Sequence, residues 1–430
     1  MMKVIKYPKR ETWQNLCQRA QIERKTLTSS VADILETVKL KGDRALLDFT
    51  EKFDGVALDS LVVQPEEITE AKTKVSTELK EAIVLAKNNI ERFHKTQQSN
   101  EKKVETIEGV VCWRKSVAIE KVGLYIPGGS APLFSTILML AIPARIAGCK
   151  EIVLCTPPNA AGSIAPEILF TANLVGVTKI VKVGGAQAIA AMAYGTTSVP
   201  RVYKILGPGN QYVTKAKELV QIDGVAIDMP AGPSEVLVLA DETAVPEFVA
   251  ADLLSQAEHG PDSQVILVGT TAEILEKTLR ELEKQLAALP RKTIASKALD
   301  NSRAILVESL TEGIAFSNEY APEHLILASE NASTVMDAIV NAGSVFLGNY
   351  SCESAGDYAS GTNHTLPTNG FAKNFSGVSL DSFVKKITFQ ELTKKGIQNI
   401  GPAIELMAAA EGLDAHKNAV TLRLNQVENV

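Results

Sequence analysis

Cysteine is scarce in this sequence and shows no pairing pattern. Five cysteines occur among 430 residues, and none stands in a CxxC pair. An odd number of cysteines without such spacing is typical of a reducing compartment, and it argues against a disulfide framework or a thiolate zinc site. We therefore expect each cysteine to be a small buried apolar residue.

Aromatic residues, long hydrophobic runs and excess positive charge are lacking as well. Aromatics make up 5% of the chain, so we expect a mostly aliphatic core. The longest apolar stretch, 134–147, is interrupted by Pro143 and Arg145 and is too short to span a bilayer. The formal net charge of -6 argues against non-specific nucleic-acid binding. Since the N-terminal segment has no apolar run like that of a secretory signal, we predict a soluble, cytoplasmic protein that binds neither membranes nor nucleic acid.

Short β-branched runs alternate with helical patterns from about Val111 onward, whereas the first third of the chain is mainly helical by pattern. This alternation predicts an α/β fold with two parallel-sheet units in tandem. The predicted strands are 122–126, 151–155, 179–183, 202–206 and 225–227, followed by 236–239, 264–268, 304–307, 324–328 and 344–347. The tail is predicted to be helical over 381–395, 402–411 and 414–425. Such short amphipathic helices need another part of the protein, or a partner subunit, to cover their apolar faces.

Glycine-rich turns follow several predicted strands of the first unit. They are Gly128-Gly129, Gly184-Gly185 and Gly207-Pro208-Gly209. Open α/β sheets bind ligands at the carboxyl ends of their strands, so these turns are candidate ligand sites. The GxGxxG fingerprint of dinucleotide-binding domains is absent after every strand, and the motif rules by themselves leave the cofactor undecided.

Histidine gives the sharpest chemical signal because the chain has only five. His94 lies in the polar run ERFHKTQQ, where we expect a solvated surface position. Gln256 and His259 are three residues apart at the end of a predicted helix, a spacing that puts both on one face. Glu323 and His324 are adjacent where a strand begins, and they are the two side-chain types most used for proton transfer near neutral pH.

Two further polar pairs lie toward the C-terminus. Asp357 and His364 stand in a glycine-rich loop, and Glu411 and His416 flank a helix break at Gly412. Taken singly, each of these pairs also has an ordinary structural explanation as a helix cap or an ion pair. Taken together, one plausible set of nitrogen and oxygen ligands for a catalytic zinc ion emerges. Its members would be Gln256, His259, Asp357 and His416, although these residues come from distant segments and the sequence patterns alone do not bring them together. Manganese or cobalt could fill such a site too.

Several long segments closely resemble histidinol dehydrogenases, and the resemblance runs over nearly the whole chain. They include VGLYIPGG from Val122, GPGNQYVT from Gly207, LLSQAEHGPDSQVIL from Leu253, SAGDYASGTNH from Ser354 and AAAEGLDAHKNAVTLR from Ala408. The resemblance implies an NAD-dependent alcohol and aldehyde oxidoreductase of histidine biosynthesis. Such an enzyme carries out the four-electron oxidation of L-histidinol, by way of L-histidinal, to L-histidine.

The resemblance also implies roles for single residues. Glu323 and His324 would be the acid/base pair, and one zinc ion per subunit would be held by Gln256, His259, Asp357 and His416. Substrate would be bound by Ser234, Gln256, His259, His324, Asp357, His364, Glu411 and His416. NAD would contact Tyr125, Gln187 and Asn210.

The resemblance implies an α/β fold of two incomplete Rossmann-like parallel-sheet domains with small helical N- and C-terminal pieces, arranged in four parts. They are an N-terminal helical segment over 1–25, a catalytic zinc-binding α/β domain over 26–121 and 236–378, an NAD-binding Rossmann-like domain over 122–235, and a helical tail over 379–430. Family members are homodimers whose tail reaches the partner's active site.

Two other functions use the same residues. A zinc-dependent hydrolase would employ Glu323 as the base that activates water. A metal-dependent binding protein would show metal affinity without turnover. The glycine-ended strands of the first α/β unit argue against the hydrolase, and the paired Glu323 and His324 argue against the binding protein.

Overall fold

Two parallel sheets dominate the fold, as the alternating sequence pattern predicts. The computed structural model describes residues 2–19, 24–128, 132–229 and 232–428. Its strands are β1 (Lys3–Lys6), β2 (Val104–Ile107), β3 (Val110–Ala118), β4 (Lys121–Tyr125), β5 (Glu151–Thr156), β6 (Lys179–Lys182), β7 (Lys204–Leu206), β8 (Ala226–Ile227), β9 (Glu235–Ala240), β10 (Gln264–Gly269), β11 (Arg303–Leu306), β12 (His324–Ala328), β13 (Ser344–Leu347) and β14 (Val384–Leu392).

Helices follow most of the strands. They are α1 (Trp13–Leu16), α2 (Arg24–Lys41), α3 (Asp43–Asp54), α4 (Pro65–Lys74), α5 (Thr77–Lys95), α6 (Phe134–Ala147), α7 (Pro166–Val175), α8 (Gly185–Tyr194), α9 (Gln211–Val220), α10 (Pro246–Ala257), α11 (Ala272–Ala288), α12 (Lys292–Asp300), α13 (Leu310–Tyr320), α14 (Glu353–Tyr358), α15 (Lys394–Ala410) and α16 (Asp414–Glu428). Short 3-10 turns cover Arg10–Thr12, Ala332–Ala338, Phe371–Lys373 and Leu380–Phe383.

Both large sheets are wholly parallel, and strands β9–β13 of sheet A follow the same order as β4–β8 of sheet B. Sheet A runs β1-β11-β10-β9-β12-β13, and sheet B runs β6-β5-β4-β7-β8. Apart from the edge strand β1, the chain in each sheet starts on a central strand, β9 or β4, moves outward to one side, and returns to the other side of that strand. This reversal occurs between β9 and β12 in sheet A and between β4 and β7 in sheet B. The α/β class with two incomplete Rossmann-like sheets is therefore confirmed.

The first unit of the structure comprises 1–96 and 120–383 and contains both sheets. Within it, apolar residues of α2 and α3 such as Val31 and Leu46 are buried in one cluster with sheet B residues such as Val153 and Ile205. The domain arrangement expected from the resemblance instead places 26–121 with 236–378 in the zinc-binding domain. Because one compact unit holds both sheets, the proposed division into domains stays a prediction.

The second unit comprises 97–119 and 384–430, and it is only partly helical. In it β14, β3 and β2 form an antiparallel sheet, and α15 packs on α16. The predicted helix over 381–395 is wrong, because Val384–Leu392 is a strand paired along its length with β3. Most of its residues are exposed, so the burial alternation that marks a strand is weak there.

Two smaller expectations are corrected. The N-terminal segment begins with a strand, since β1 pairs in parallel with β11 at the edge of sheet A. His94 is buried on α5 rather than solvated: its Nδ1 lies 2.9 Å from the carbonyl oxygen of Ile90, and its Nε2 lies 3.4 Å from the Asn363 amide nitrogen. Among the described residues, none of the helices has the length and apolar character needed to cross a bilayer.

Candidate active site

A cavity of about 650 Å³ lies between the two sheets of the first unit. On one side it is bounded by Ser234, Glu323 and His324, at the amino ends of β9 and β12. On the other side lie Pro127 and the turn 207–209, at the carboxyl ends of β4 and β7. Only sheet B therefore presents the carboxyl edge that open α/β sheets normally use for ligands.

The adjacent pair at the start of β12 is buried and held by the backbone of Glu235. The N–H of Glu235 donates to Oε2 of Glu323 at 2.8 Å, and Nδ1 of His324 lies 3.1 Å from the Glu235 carbonyl oxygen. A carbonyl can only accept, so Nδ1 of His324 carries the proton of that bond. Nε2 of His324 is buried and makes no hydrogen bond in the part of the chain that the structure describes, and Oδ1 of Asp357 lies 3.7 Å from it. It is therefore the nitrogen available for chemistry.

The electrostatics of this pair are dominated by burial and by acidic neighbours. Burial raises the pKa of Glu323 to about 8, because the charged carboxylate is poorly solvated there. Burial alone would lower the pKa of His324. The carboxylates of Glu323, Glu353 and Asp357 outweigh it and raise the pKa of His324 to about 10. These acidic groups therefore favour the protonated form of His324 unless a nearby positive charge offsets them.

A group of nitrogen and oxygen donors suited to a cation lies at the cavity. His259 follows the end of α10, and Glu353 and Asp357 are four residues apart on α14, a spacing that puts both carboxylates on one face. One ligand atom from each of these three residues lies within 4.8 Å of the others. Three histidines around Asp357 hold its pKa below the ordinary value despite its burial. The structure thus brings together His259 and Asp357 from the predicted ligand set.

Glu353 is the site residue that sequence reasoning missed. Gln256, buried on α10, has its amide best satisfied when its nitrogen donates to the Glu353 carboxylate and its oxygen accepts from the Glu235 N–H at 2.9 Å. Ser255 donates to Glu353 at 3.4 Å, and burial holds the pKa of Glu353 well above its usual range. The four-residue spacing of two acidic residues within ESAGD is the signal that could have identified it.

The remaining first-unit residues with predicted substrate roles also line the cavity. His364 is half-buried there, with Nε2 3.1 Å from the Thr136 hydroxyl and Nδ1 2.9 Å from the Asp357 carbonyl oxygen. Desolvation lowers the pKa of His364. Ser234 lines the same wall, one residue before β9 begins.

The three residues predicted to contact NAD occupy two different environments. Asn210 is exposed on the cavity wall, and its side chain accepts from the N–H groups of Tyr212 and Val213 at the start of α9. Tyr125 and Gln187 are buried instead. The hydroxyl of Tyr125 accepts from the Gly185 N–H at 3.0 Å, and burial raises its pKa to about 12.

Glu411 and His416 belong to the second unit. Glu411 ends α15, His416 lies on α16, and both side chains are exposed. The cavity wall described above consists of first-unit residues. The structure therefore brings the predicted zinc, substrate and acid/base residues of the first unit, together with Asn210, to one cavity, and it leaves Glu411 and His416 exposed on the second unit.

Comparison with known proteins gives one consistent answer. The family model "Histidinol dehydrogenase" matches residues 17–424. A relative from Bacteroides thetaiotaomicron named histidinol dehydrogenase is 62% identical over 428 residues, covering 100% of both chains. One from Salmonella typhimurium is 56% identical over 405 residues, covering 94% of this chain and 92% of the other.

A solved structure extends this agreement to three dimensions. The crystal structure of histidinol dehydrogenase from Elizabethkingia anophelis superposes with a TM-score of 0.98 at 60% identity, covering 99% of each chain. Sequence, family model and fold therefore agree over nearly the full length, and the chain belongs to the histidinol dehydrogenase family.

Proposed function

We propose that this chain oxidises L-histidinol to L-histidine by way of L-histidinal, with NAD accepting a hydride in each of two steps. This is the end of histidine biosynthesis. The observation that carries the proposal is the Glu323–His324 pair, which faces the same cavity as the donors His259 and Asp357. The alcohol loses a hydride and a proton to become the aldehyde. Water then adds, and the hydrate loses a second hydride and proton to become the acid.

The two members of the pair have separate tasks in this scheme. His324 takes the alcohol proton on Nε2, the nitrogen left free by the bond between Nδ1 and Glu235. It takes the hydrate proton in the same way in the second oxidation. Glu323, beside it, activates the water that attacks the aldehyde. A carboxyl group whose pKa is raised to about 8 by burial suits proton transfer near neutral pH.

The donor set fits a zinc ion. His259 and Asp357 supply imidazole and carboxylate within 4.8 Å of each other, and thiolates are not needed for a catalytic site. The proposed ligands are Gln256, His259, Asp357 and His416. When bound, zinc supplies a positive charge that orients the substrate and offsets the carboxylates that keep His324 protonated. Glu353 accepts from the Gln256 amide nitrogen, and the amide oxygen, which accepts from the Glu235 N–H, keeps a second lone pair for the ion.

Substrate and cofactor would occupy opposite sides of the cavity. We assign substrate contacts to Ser234, Gln256, His259, His324, Asp357, His364, Glu411 and His416. NAD would lie along the carboxyl edge of sheet B, beside Asn210 and the turn 207–209. The buried Tyr125 and Gln187 would act there by shaping the turn that begins α8, since Tyr125 accepts from the Gly185 N–H.

A second copy of the chain is the proposed partner. On the second unit Leu406, Met407 and Leu422 are 74%, 66% and 60% exposed. Apolar side chains exposed to this extent on two adjacent helices favour burial against another surface. We propose a homodimer in which Glu411 and His416 complete the partner's site.

Metal removal tests this function directly. Purified protein given histidinol and NAD is expected to produce NADH, followed by its absorbance band. Treatment with a chelator should abolish this turnover, and added zinc should restore it. NADH formation separates the oxidoreductase from a zinc hydrolase and from a non-catalytic binding protein. Full activity in a rigorously metal-free sample would contradict the zinc assignment.

A further inference from the structure

Glu235 holds both members of the acid/base pair through its own peptide groups. Its N–H donates to Glu323 at 2.8 Å, and its carbonyl oxygen lies 3.1 Å from Nδ1 of His324. Strands β9 and β12 are paired here, with His324 opposite Val236. Any displacement of the Glu235 backbone would therefore disturb both groups at once.

The side chain of Glu235 is itself fixed by a buried arginine from the N-terminal segment. Nε and Nη2 of Arg19 donate to the two carboxylate oxygens at 3.0 and 2.9 Å, and the side chains are 12% and 1% exposed. The N–H of Asn369 donates to the same carboxylate at 2.8 Å. A paired bond of this kind fixes direction as well as distance.

Arg19 also holds the segment that leads into the pair. Its Nη2 donates to the carbonyl oxygen of Tyr320 at 2.7 Å, and its guanidinium lies over the Tyr320 ring at 3.7 Å. The next residue, Ala321, is buried with a φ of 53°, in the left-handed region that residues other than glycine seldom adopt. Arg19 therefore ties the start of β9 to the turn that immediately precedes Glu323.

We infer that Arg19 is a positioning residue, which sets the geometry of Glu323 and His324 through Glu235 and Tyr320. This inference rests on the proposed function, which makes Glu323 and His324 the acid/base pair. A buried ion pair adds little stability over apolar residues of similar size, whereas a displacement of about 1 Å at reacting groups can cost roughly 10²-fold in rate. A positioning role therefore accounts for the ion pair of Arg19 and Glu235 better than a contribution to stability does.

The test compares kcat with KM in zinc-loaded enzyme. Arg19→Ala is expected to lower kcat for histidinol by about 10²-fold, with much smaller changes in KM and bound zinc, because Arg19 itself contacts none of the proposed ligands. Added guanidinium should restore part of kcat. Arg19→Lys should fall between wild type and Arg19→Ala, since one ammonium cannot make the paired bond to Glu235 and also reach Tyr320.

Glu67→Ala is the matched control. It removes the partner of Lys182, a partly buried ion pair of 2.6 Å beside sheet B, and should leave kcat unchanged. Wild-type kcat in Arg19→Ala would overturn the inference. If that variant yields no folded protein, wild-type kcat in Arg19→Lys would overturn it instead. A wild-type enzyme that fails to oxidise histidinol would contradict the proposed function, and it is measured first.

Discussion

At the scale of single residues, the roles of the adjacent Glu323 and His324 can be distinguished by measuring the two half-reactions separately. Loss of one proton-transfer group typically costs about 10²–10⁴ in rate. Glu323→Gln should therefore slow oxidation of supplied histidinal much more than the first hydride transfer from histidinol. His324→Ala should slow both. Single-turnover NADH formation from each substrate measures this.

The control for that comparison is Glu319→Gln, the same chemical change at a surface residue that pairs with Lys373. It should leave both half-reactions at wild-type rates. If Glu323→Gln impairs the alcohol step as severely as the aldehyde step, the division of labour is wrong, and the two residues act as one coupled base.

The buried His94 makes the stability of the chain sensitive to acid. Burial lowers its pKa, an effect that the bond to the Ile90 carbonyl only partly opposes. The unfolded chain therefore binds a proton more readily, and His94 lowers stability as the pH falls below its unfolded pKa of about 6.5. Above that value the penalty vanishes. His94→Gln should lose less thermal stability than wild type between about pH 7.5 and about pH 5.

Thermal unfolding at both pH values checks this expectation. Because other histidines titrate over the same range, the informative quantity is the difference between the two proteins and not the fall itself. Equal acid-induced losses in wild type and His94→Gln would show that the pKa of His94 is the same in the folded and the unfolded chain.

These residues also show which features of the site local sequence patterns can predict and which they cannot. Gln256, His259, Glu323 and His324 could be found because their spacing or adjacency is visible in the sequence. His94 could not be placed correctly, because its buried partner Asn363 is 269 residues away and its sequence neighbours are polar. Because the loop before His364 is so far from α5 in the sequence, the face of α5 that packs on this loop cannot be identified from the local pattern.

At the scale of elements, the turn after β7 depends on one glycine. Gly207 has a φ of 128°, and a Cβ there would collide with the carbonyl oxygen of Tyr125. Its N–H donates to Asp228 at 2.8 Å and its carbonyl accepts from Lys217 at 2.9 Å, and these two side chains form a buried ion pair. Gly207→Ala should therefore cost about 1–3 kcal/mol of stability and raise the KM for NAD.

Denaturant unfolding and initial rates at varied NAD check that prediction. Gly224→Ala is a matched control, because Gly224 also has a positive φ, 85°, but a Cβ there would meet open space. It should lose some stability and keep the wild-type KM for NAD. An unchanged KM for NAD in Gly207→Ala would show that this turn does not contribute to cofactor binding.

Prediction of elements succeeded where strands are continuous buried apolar runs and failed where strands are exposed. All ten predicted strands of the two parallel sheets are present, since β5, β9, β10 and β12 are apolar runs buried on both faces. The antiparallel sheet of the second unit was missed. Its strand β2 is exposed throughout, so neither face carries an apolar pattern. Pairing with distant strands stabilises these segments, and local sequence does not report it.

At the scale of the whole molecule, the proposed dimer predicts complementation between two inactive chains. One chain carries Glu323→Gln and His324→Ala, and the other carries His416→Asn. If the tail acts in trans, each mixed dimer has one intact site, and random mixing should restore roughly a quarter of wild-type activity. Each inactive chain put through the same exchange alone is the control. No recovery despite demonstrated subunit exchange would show that the tail serves its own subunit.

The long sequence separation across the Arg19 contacts has a consequence for the order in which the enzyme is made. Glu235 follows Arg19 by 216 residues and Tyr320 follows it by 301. At a synthesis rate of about 5–20 residues per second, Tyr320 is synthesised on the order of 15–60 seconds after Arg19. Sheet B, whose strands lie within 121–227, is complete well before then. On the ribosome, we therefore expect Glu323 and His324, the proposed acid/base pair, to be fixed in place late, after all strands of the neighbouring sheet B have been synthesised.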